Sequence, residues 1–204
     1  METIKNIIFD LGGLFIEINY HKTEKAFVDL GVVNFHDLYT QHHASPIFEL
    51  LETGKLEPKE FYNEFRKIAE IDLSDEQIRG AWNAMLGNFF PDSLKWLDEI
   101  KSKYNIFLYS NTNKIHYDAF IEIYYNQTGK RDFDDYFIHA YYSHDLGLRK
   151  PYKEGFERIL QLQNLKAAES LFIDDTLKNL EGARQAGMQT LHLPAPKTVL
   201  DIVL

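Results

Sequence analysis

The feature that most constrains this chain is a set of five short apolar stretches, residues 6–10, 105–109, 136–140, 170–174 and 189–193, separated by segments of helical spacing. Each stretch is rich in Ile, Leu, Phe or Tyr, and none alternates apolar with polar residues as a half-exposed strand does. Such runs suit strands buried on both faces, the condition of a parallel sheet covered by helices. The intervening helices are legible. Residues 93–102 carry Leu94, Leu97 and Ile100 on one face, and Lys153–Leu162 carries Phe156, Ile159 and Leu160. Residues 179–186 precede Gly187, a suitable helix-ending glycine, and 113–125 include a further helix. The pattern predicts an α/β fold around an open sheet.

Between the first two strands the chain is too long for a single crossover. Residues 15–88 read as helices only: 20–30, 35–40, 47–53 ahead of Gly54, Pro58–Ala69 with Phe61, Phe65 and Ile68, and 74–86 opening with Ser74-Asp75-Glu76. The predicted division is therefore a core of residues 1–14 and 89–204 and a helical insertion of 15–88. An insertion after the first strand of a parallel sheet lies over the carboxyl edge, where ligands bind in such folds. It either serves as a lid or only extends the core.

Composition removes several function classes. Among 204 residues, Asp+Glu total 31 against 22 Lys+Arg, a net charge of -9, which disfavours a phosphate-backbone partner such as nucleic acid. The absence of cysteine excludes disulfides, thiolate metal sites and thiol nucleophiles. No apolar run approaches the ~18 residues of a membrane span, and the amino terminus does not have the form of a signal peptide. A soluble, cytoplasmic protein, monomeric or homodimeric, is expected.

Four segments at the carboxyl ends of predicted strands can converge on one crevice. Phe9-Asp10-Leu11-Gly12-Gly13-Leu14 ends a buried strand in an acid, which needs a compensating charge or hydrogen bonds. Its glycines permit close backbone approach to an anion. Ser110-Asn111-Thr112-Asn113 offers hydroxyl, amide and backbone N–H groups that either cradle a phosphate or cap the next helix. Gly147-Leu148-Arg149-Lys150-Pro151-Tyr152 places a lysine before a proline, which biases it away from helix. Phe172-Ile173-Asp174-Asp175-Thr176 ends an apolar strand in two adjacent acids. Either they form a solvated turn or a hard cation such as Mg2+ relieves their repulsion.

In this order and spacing, the four segments resemble the signature motifs of the haloacid dehalogenase superfamily, and the insertion resembles its C1-type cap. Asp10-Leu11-Gly12-Gly13, Ser110-Asn111-Thr112-Asn113, Asp145-Leu146-Gly147-Leu148-Arg149-Lys150-Pro151, and Asp174-Asp175 with Asn179-Leu180-Glu181-Gly182-Ala183 are similar to bacterial sugar-phosphate phosphatases. The resemblance implies a Rossmann-like parallel five-stranded core and a Mg2+-dependent phosphatase of a small phosphorylated metabolite. It implies Asp10 as nucleophile, with Mg2+ held by Asp10, Asp174 and the Gly12 carbonyl, and Asp175 on the metal directly or through water. Ser110 and the Asn111 amide would bind the phosphoryl group, and Lys150 would pair with Asp10 and phosphate oxygens.

The departure is Gly12. Most phosphatases of the superfamily carry there a second Asp that serves as acid and base, and glycine can do neither. The sugar-phosphatase subgroup also has Gly at this position. His42 and His43 in the insertion are candidates to substitute, or are exposed or helix-packing histidines. Trp82 and Asn83 are candidates to offer the substrate an apolar plane and an amide; Trp82 is otherwise a core residue. Asp145 either orients Lys150 or shapes a turn. Two other functions fit the same residues: a metal-independent haloacid dehalogenase, and a phosphate-ligand binder without turnover.

Overall fold

The four residues Asn6–Phe9 form the strand about which the rest is arranged. In the computed structural model, which describes residues 3–40 and 45–203, this strand, β1, leads into β2 (Ile16–Ile18) and five helices. These are α1 (Tyr20–Asp29), α2 (Phe35–Leu38), α3 (Pro46–Glu52), α4 (Pro58–Ala69) and α5 (Asp75–Asn83). The chain returns through β3 (Leu86–Phe89), then runs α6 (Pro91–Ile100), β4 (Asn105–Ser110), α7 (Lys114–Thr128), β5 (His139–Tyr142) and α8 (Ser143–Leu146). It continues with α9 (Lys153–Leu162), β6 (Ser170–Asp174), α10 (Leu177–Gln185) and β7 (Gln189–His192), and a 3-10 turn at Val199–Asp201 follows.

The main sheet has the order β5-β4-β1-β6-β7, all parallel, so β1 is paired on both sides. Ile7 and Phe9 pack on one face with Leu97, Leu108 and Phe120, while Ile8 packs on the other with Phe107, Phe156 and Phe172. This follows from the two-residue period of a strand between two helical layers. The edge strand β7 is half-buried throughout. Among the described residues no helix is long and apolar enough to cross a membrane.

A third apolar cluster belongs to the helices between β2 and β3. Phe27, Phe35, Phe48, Phe61, Phe65 and Trp82 pack together there, joined by Ile115 of α7. The expectation of helices alone in this region is corrected: β2 and β3 pair antiparallel, Ile16 with Phe89 and Ile18 with Leu86. Ile16-Glu17-Ile18 is too short to show a period, and Leu86-Gly87-Asn88-Phe89 resembles a loop until its partner is known.

The strand expected at 136–140 is also displaced. Phe133–Tyr136 is a 3-10 turn, and β5 begins at His139. Asp134 in that turn accepts the Tyr117 and Tyr142 hydroxyls at 3.2 and 2.5 Å, which holds the aromatic run in a turn before sheet pairing starts.

The parallel order brings the carboxyl ends of β1, β4 and β6 to one edge, with Asp10, Ser110 and Asp174 upon it. Close packing beneath fixes the loop that carries Lys150: a Cβ at Gly182 of α10 would lie 1.9 Å from the Pro151 carbonyl oxygen. Gly182→Ala should therefore cost about 1–3 kcal/mol or more in urea unfolding. A variant of wild-type stability would show that α10 does not hold that loop.

Candidate active site

At this edge the Lys150 ammonium is buried between two acids, 2.6 Å from Asp10 Oδ1 and 2.7 Å from Asp174 Oδ2. Its side chain is 1% exposed. Beneath it lie the rings of Tyr109 and Phe172, 5.8 and 5.4 Å from Nζ to centroid. Burial alone would lower its pKa, but Asp10 and Asp174 override this and hold it above the usual lysine range.

The lysine's backbone is clamped by Asn111, which follows β4. The Asn111 carboxamide donates to the Lys150 carbonyl at 2.9 Å and accepts from the Lys150 N–H at 2.8 Å. That side chain is thereby committed to the Lys150 loop. Ser110, buried at the end of β4, lines the cavity together with Gly12. Next to it, Thr112 exchanges two hydrogen bonds with the Ser143 hydroxyl, both at 2.9 Å.

The two acids ending β6 are not equivalent. Asp174 Oδ1 accepts from the Thr176 N–H at 2.7 Å and from Asn179 Nδ2 at 3.1 Å. Its Oδ2 accepts from Lys150 and, at 2.9 Å, from Asn179 Nδ2. Asp174 is fully buried and does not line the cavity, whereas Asp175 does. The Asp175 carboxylate lies over the β1 loop, where a Cβ on Gly13 would meet its Oδ2 at 2.5 Å.

One oxygen from each of Asp10, Asp174 and Asp175 lies within 4.8 Å of the others. Three carboxylates with one ammonium leave excess negative charge. Burial, with Asp174 and Asp175 adding to it against the pull of Lys150, pushes the Asp10 pKa up to about 7. Burial and the neighbouring Asp174 likewise raise that of Asp175. A compact set of oxygen ligands lacking positive charge fits a small hard cation.

The cavity above is about 550 Å3, and Tyr20, Tyr39, Glu49 and Glu52 of the helical segment line it together with Arg149. Of these, only Arg149 stands in a segment that the sequence singled out. Glu52 carries a faint signal, as an acid closing the apolar run Ile47-Phe48-Glu49-Leu50-Leu51. Asn179 stands in a motif quoted above, and nothing in the sequence marks its two contacts with Asp174.

Other expected residues lie elsewhere. Trp82 is fully buried, stacked on His116 at 4.6 Å, and neither Trp82 nor half-buried Asn83 lines the cavity. The reason is that Phe48 and Phe61 of the helical segment and His116 of α7 pack around its ring. His116 does line the cavity, yet its Nδ1 lies 3.2 Å from Asn113 Nδ2 and its Nε2 3.1 Å from the Trp82 carbonyl. Burial lowers its pKa to about 4. Asp145 is exposed and lies 3.6 Å from His144, so it does not orient Lys150. His42 and His43 lie outside the described residues.

This arrangement coincides with a known family. The haloacid dehalogenase-like hydrolase model matches residues 4–187, and the chain belongs to that family. It is 32% identical over 192 residues to the D-ribitol-5-phosphate phosphatase of Bacteroides thetaiotaomicron, covering 93% of this chain and 91% of that protein. It is 29% identical to a sesquiterpene phosphatase of Aspergillus oryzae, over 94% of this chain and 90% of the relative. A crystal structure of a haloacid dehalogenase family enzyme from Bacteroides thetaiotaomicron, in complex with magnesium and inorganic phosphate, superposes with a TM-score of 0.84. Identity there is 31%, with 95% of this chain and 96% of that one covered.

The raised Asp10 pKa sets a pH dependence. Asp10 keeps its proton to about 7 in the metal-free folded chain, whereas an unfolded carboxyl releases it near ~4. The folded state then binds more protons across that window, so its stability falls as pH rises from ~4 and levels off above about 7. Thermal melts of metal-free protein should show this fall, and Asp10→Asn should make it shallower. Equal slopes would contradict the assignment.

Proposed function

We propose that this hydrolase is a Mg2+-dependent phosphomonoesterase that dephosphorylates a sugar phosphate through an aspartyl-phosphate at Asp10. The observation that carries the reading is the buried Lys150 ammonium between Asp10 and Asp174, on the floor of a cavity that Asp175 also lines. The D-ribitol-5-phosphate phosphatase relative supports a sugar-phosphate substrate.

A carboxylate oxygen of Asp10 attacks phosphorus, the ester P–O bond breaks, and the leaving oxygen takes a proton. Water then attacks the same phosphorus, the bond to Asp10 breaks, and inorganic phosphate departs with the carboxylate restored. Lys150 holds Asp10 in place and offsets charge on the phosphoryl oxygens, while Ser110 and the backbone amide of Asn111 bind those oxygens. Asp10, Asp174 and Asp175, with the Gly12 carbonyl, would hold Mg2+. Asp174 also fixes Lys150 through its Oδ2 and is itself held by Asn179 and the Thr176 N–H. When bound, the ion supplies the missing positive charge for phosphoryl transfer.

No acid stands at position 12. A Cβ there would lie 3.0 Å from Ile18 Cγ1, so the space beside the nucleophile is apolar. Protonation of the leaving group then falls to water in the cavity, and general-acid help of ~10²–10⁴-fold is forgone. Residues 15–88 act as a cap that closes over the cavity, with β2 and β3 as its two connections to the core.

Phosphate release from a panel of pentose, pentitol and hexose phosphates, with and without Mg2+, tests the reading. Asp10→Asn should lower turnover by more than ~10³-fold. Asn179→Ala should lower kcat/KM by ~10–100-fold, because it frees Asp174. Binding of Mg2+ and phosphate without hydrolysis of any ester would mark a ligand-binding protein instead. Halide release from a haloacid without metal would mark a dehalogenase.

A further inference from the structure

The cavity also holds a second polar group, in which Glu49 and Glu52 of α3 face Arg149, the residue before Lys150. Glu52 closes α3, which packs against α8, and is 4% exposed. Arg149 Nη2 approaches Glu52 Oε2 to 3.0 Å, with Nη1 3.9 Å from Glu49. The Tyr39 hydroxyl donates to Glu52 Oε1 at 3.2 Å, and the ring of Tyr20 lies against that of Tyr39 at 6.3 Å. All of these residues line the cavity that Asp10 lines.

This cluster is under-bonded. Among the described residues, Arg149 Nε is buried with no acceptor, and Glu52 Oε2 has no well-aligned donor despite the nearby guanidinium. Burial pushes the Glu52 pKa up even against Arg149. A guanidinium has five donors and a carboxylate about four acceptor sites, and most of this capacity is unused here. Buried polar groups left in this state are costly, and a structure that keeps them beside a cavity calls for a ligand that bonds them.

We propose that Glu52, Arg149 and Tyr39 are the specificity-determining residues of this site and bind the hydroxyls of a polyhydroxylated leaving group. The assignment rests on the phosphatase reading above. A hydroxyl both donates and accepts, so a single one can bridge carboxylate and guanidinium. A second anionic group would meet Glu49 and Glu52 with one arginine between them. A hydrocarbon chain, such as the name of the sesquiterpene phosphatase relative suggests for that enzyme, would cover these charges without bonding them. Hydroxyls on successive carbons are the chemistry that fits.

The test compares kcat/KM for the best-hydrolysed sugar or alditol phosphate with that for n-pentyl phosphate, in the wild type, Glu52→Gln and Tyr39→Phe. Both substitutions keep size and shape, and Tyr39→Phe removes only one oxygen. The wild type should prefer the hydroxylated ester by at least ~10²-fold, and each variant should shrink that ratio by about tenfold, mainly through KM. A wild-type ratio near one, or variants that slow both esters in parallel, overturns the assignment. Failure of the wild type to hydrolyse any ester overturns the phosphatase reading itself. Calorimetric titration of the Mg2+-loaded protein with ribitol 5-phosphate and with n-pentyl phosphate then decides the assignment, which falls if both bind alike.

Discussion

The structure turns on a buried ammonium held by carboxylates from two different strands. Lys150 pairs with Asp10 after β1 and Asp174 at the end of β6, residues 140 and 24 positions away in sequence. Taking these charges out of water is costly, and removing one partner from such a group typically costs ~3–5 kcal/mol because a buried charge is stranded. The cluster is therefore stable only if β1 and β6 are neighbours in register and the Lys150 loop is rigid. The parallel ladder meets the first condition, and the two Asn111 hydrogen bonds to the Lys150 backbone meet the second. Fold and site are thus one constraint: what aligns the strands also aligns the charges.

The two polar groups of the cavity differ in how their charge is balanced. At the floor, three acids share one lysine, and the surplus appears as the raised pKa of Asp10. In the other group, Glu52 has its own arginine and does not draw on the lysine. An approaching phosphate monoester needs positive charge at the floor, where only a cation can add it. In the proposal above its organic part bonds Glu52, Arg149 and Tyr39, where carboxylate and guanidinium already offset each other.

Much of this was legible in the sequence because it rests on strand ends. Apolar runs ending in Asp10, in Ser110 and in Asp174-Asp175 give both the parallel sheet and its functional edge. What the sequence hid depends on pairing across distance. β2 and β3 are too short to carry a period, and only their contact makes them strands. The difference between Asp174 and Asp175 is set by Asn179 and the Thr176 N–H, which hold one acid and leave the other facing the cavity. Trp82 misled because an aromatic on a helix has the same spacing whether it faces a ligand or Phe48, Phe61 and His116. Glu52 is informative only once its burial and Arg149 are seen together.

The glycine at position 12 links these observations. Ile18, whose Cγ1 would lie 3.0 Å from a Cβ at that position, belongs to β2 and pairs with Leu86 of β3. The space beside Asp10 is therefore filled by the strand that carries the chain out of the sheet, not by an acid. A side chain there would press on Ile18, whose own side chain would have to give by a few tenths of an ångström. A site built this way gains little from proton donation at the scissile oxygen. Such a site relies more on positioning of the substrate, the role proposed above for Glu52, Arg149 and Tyr39.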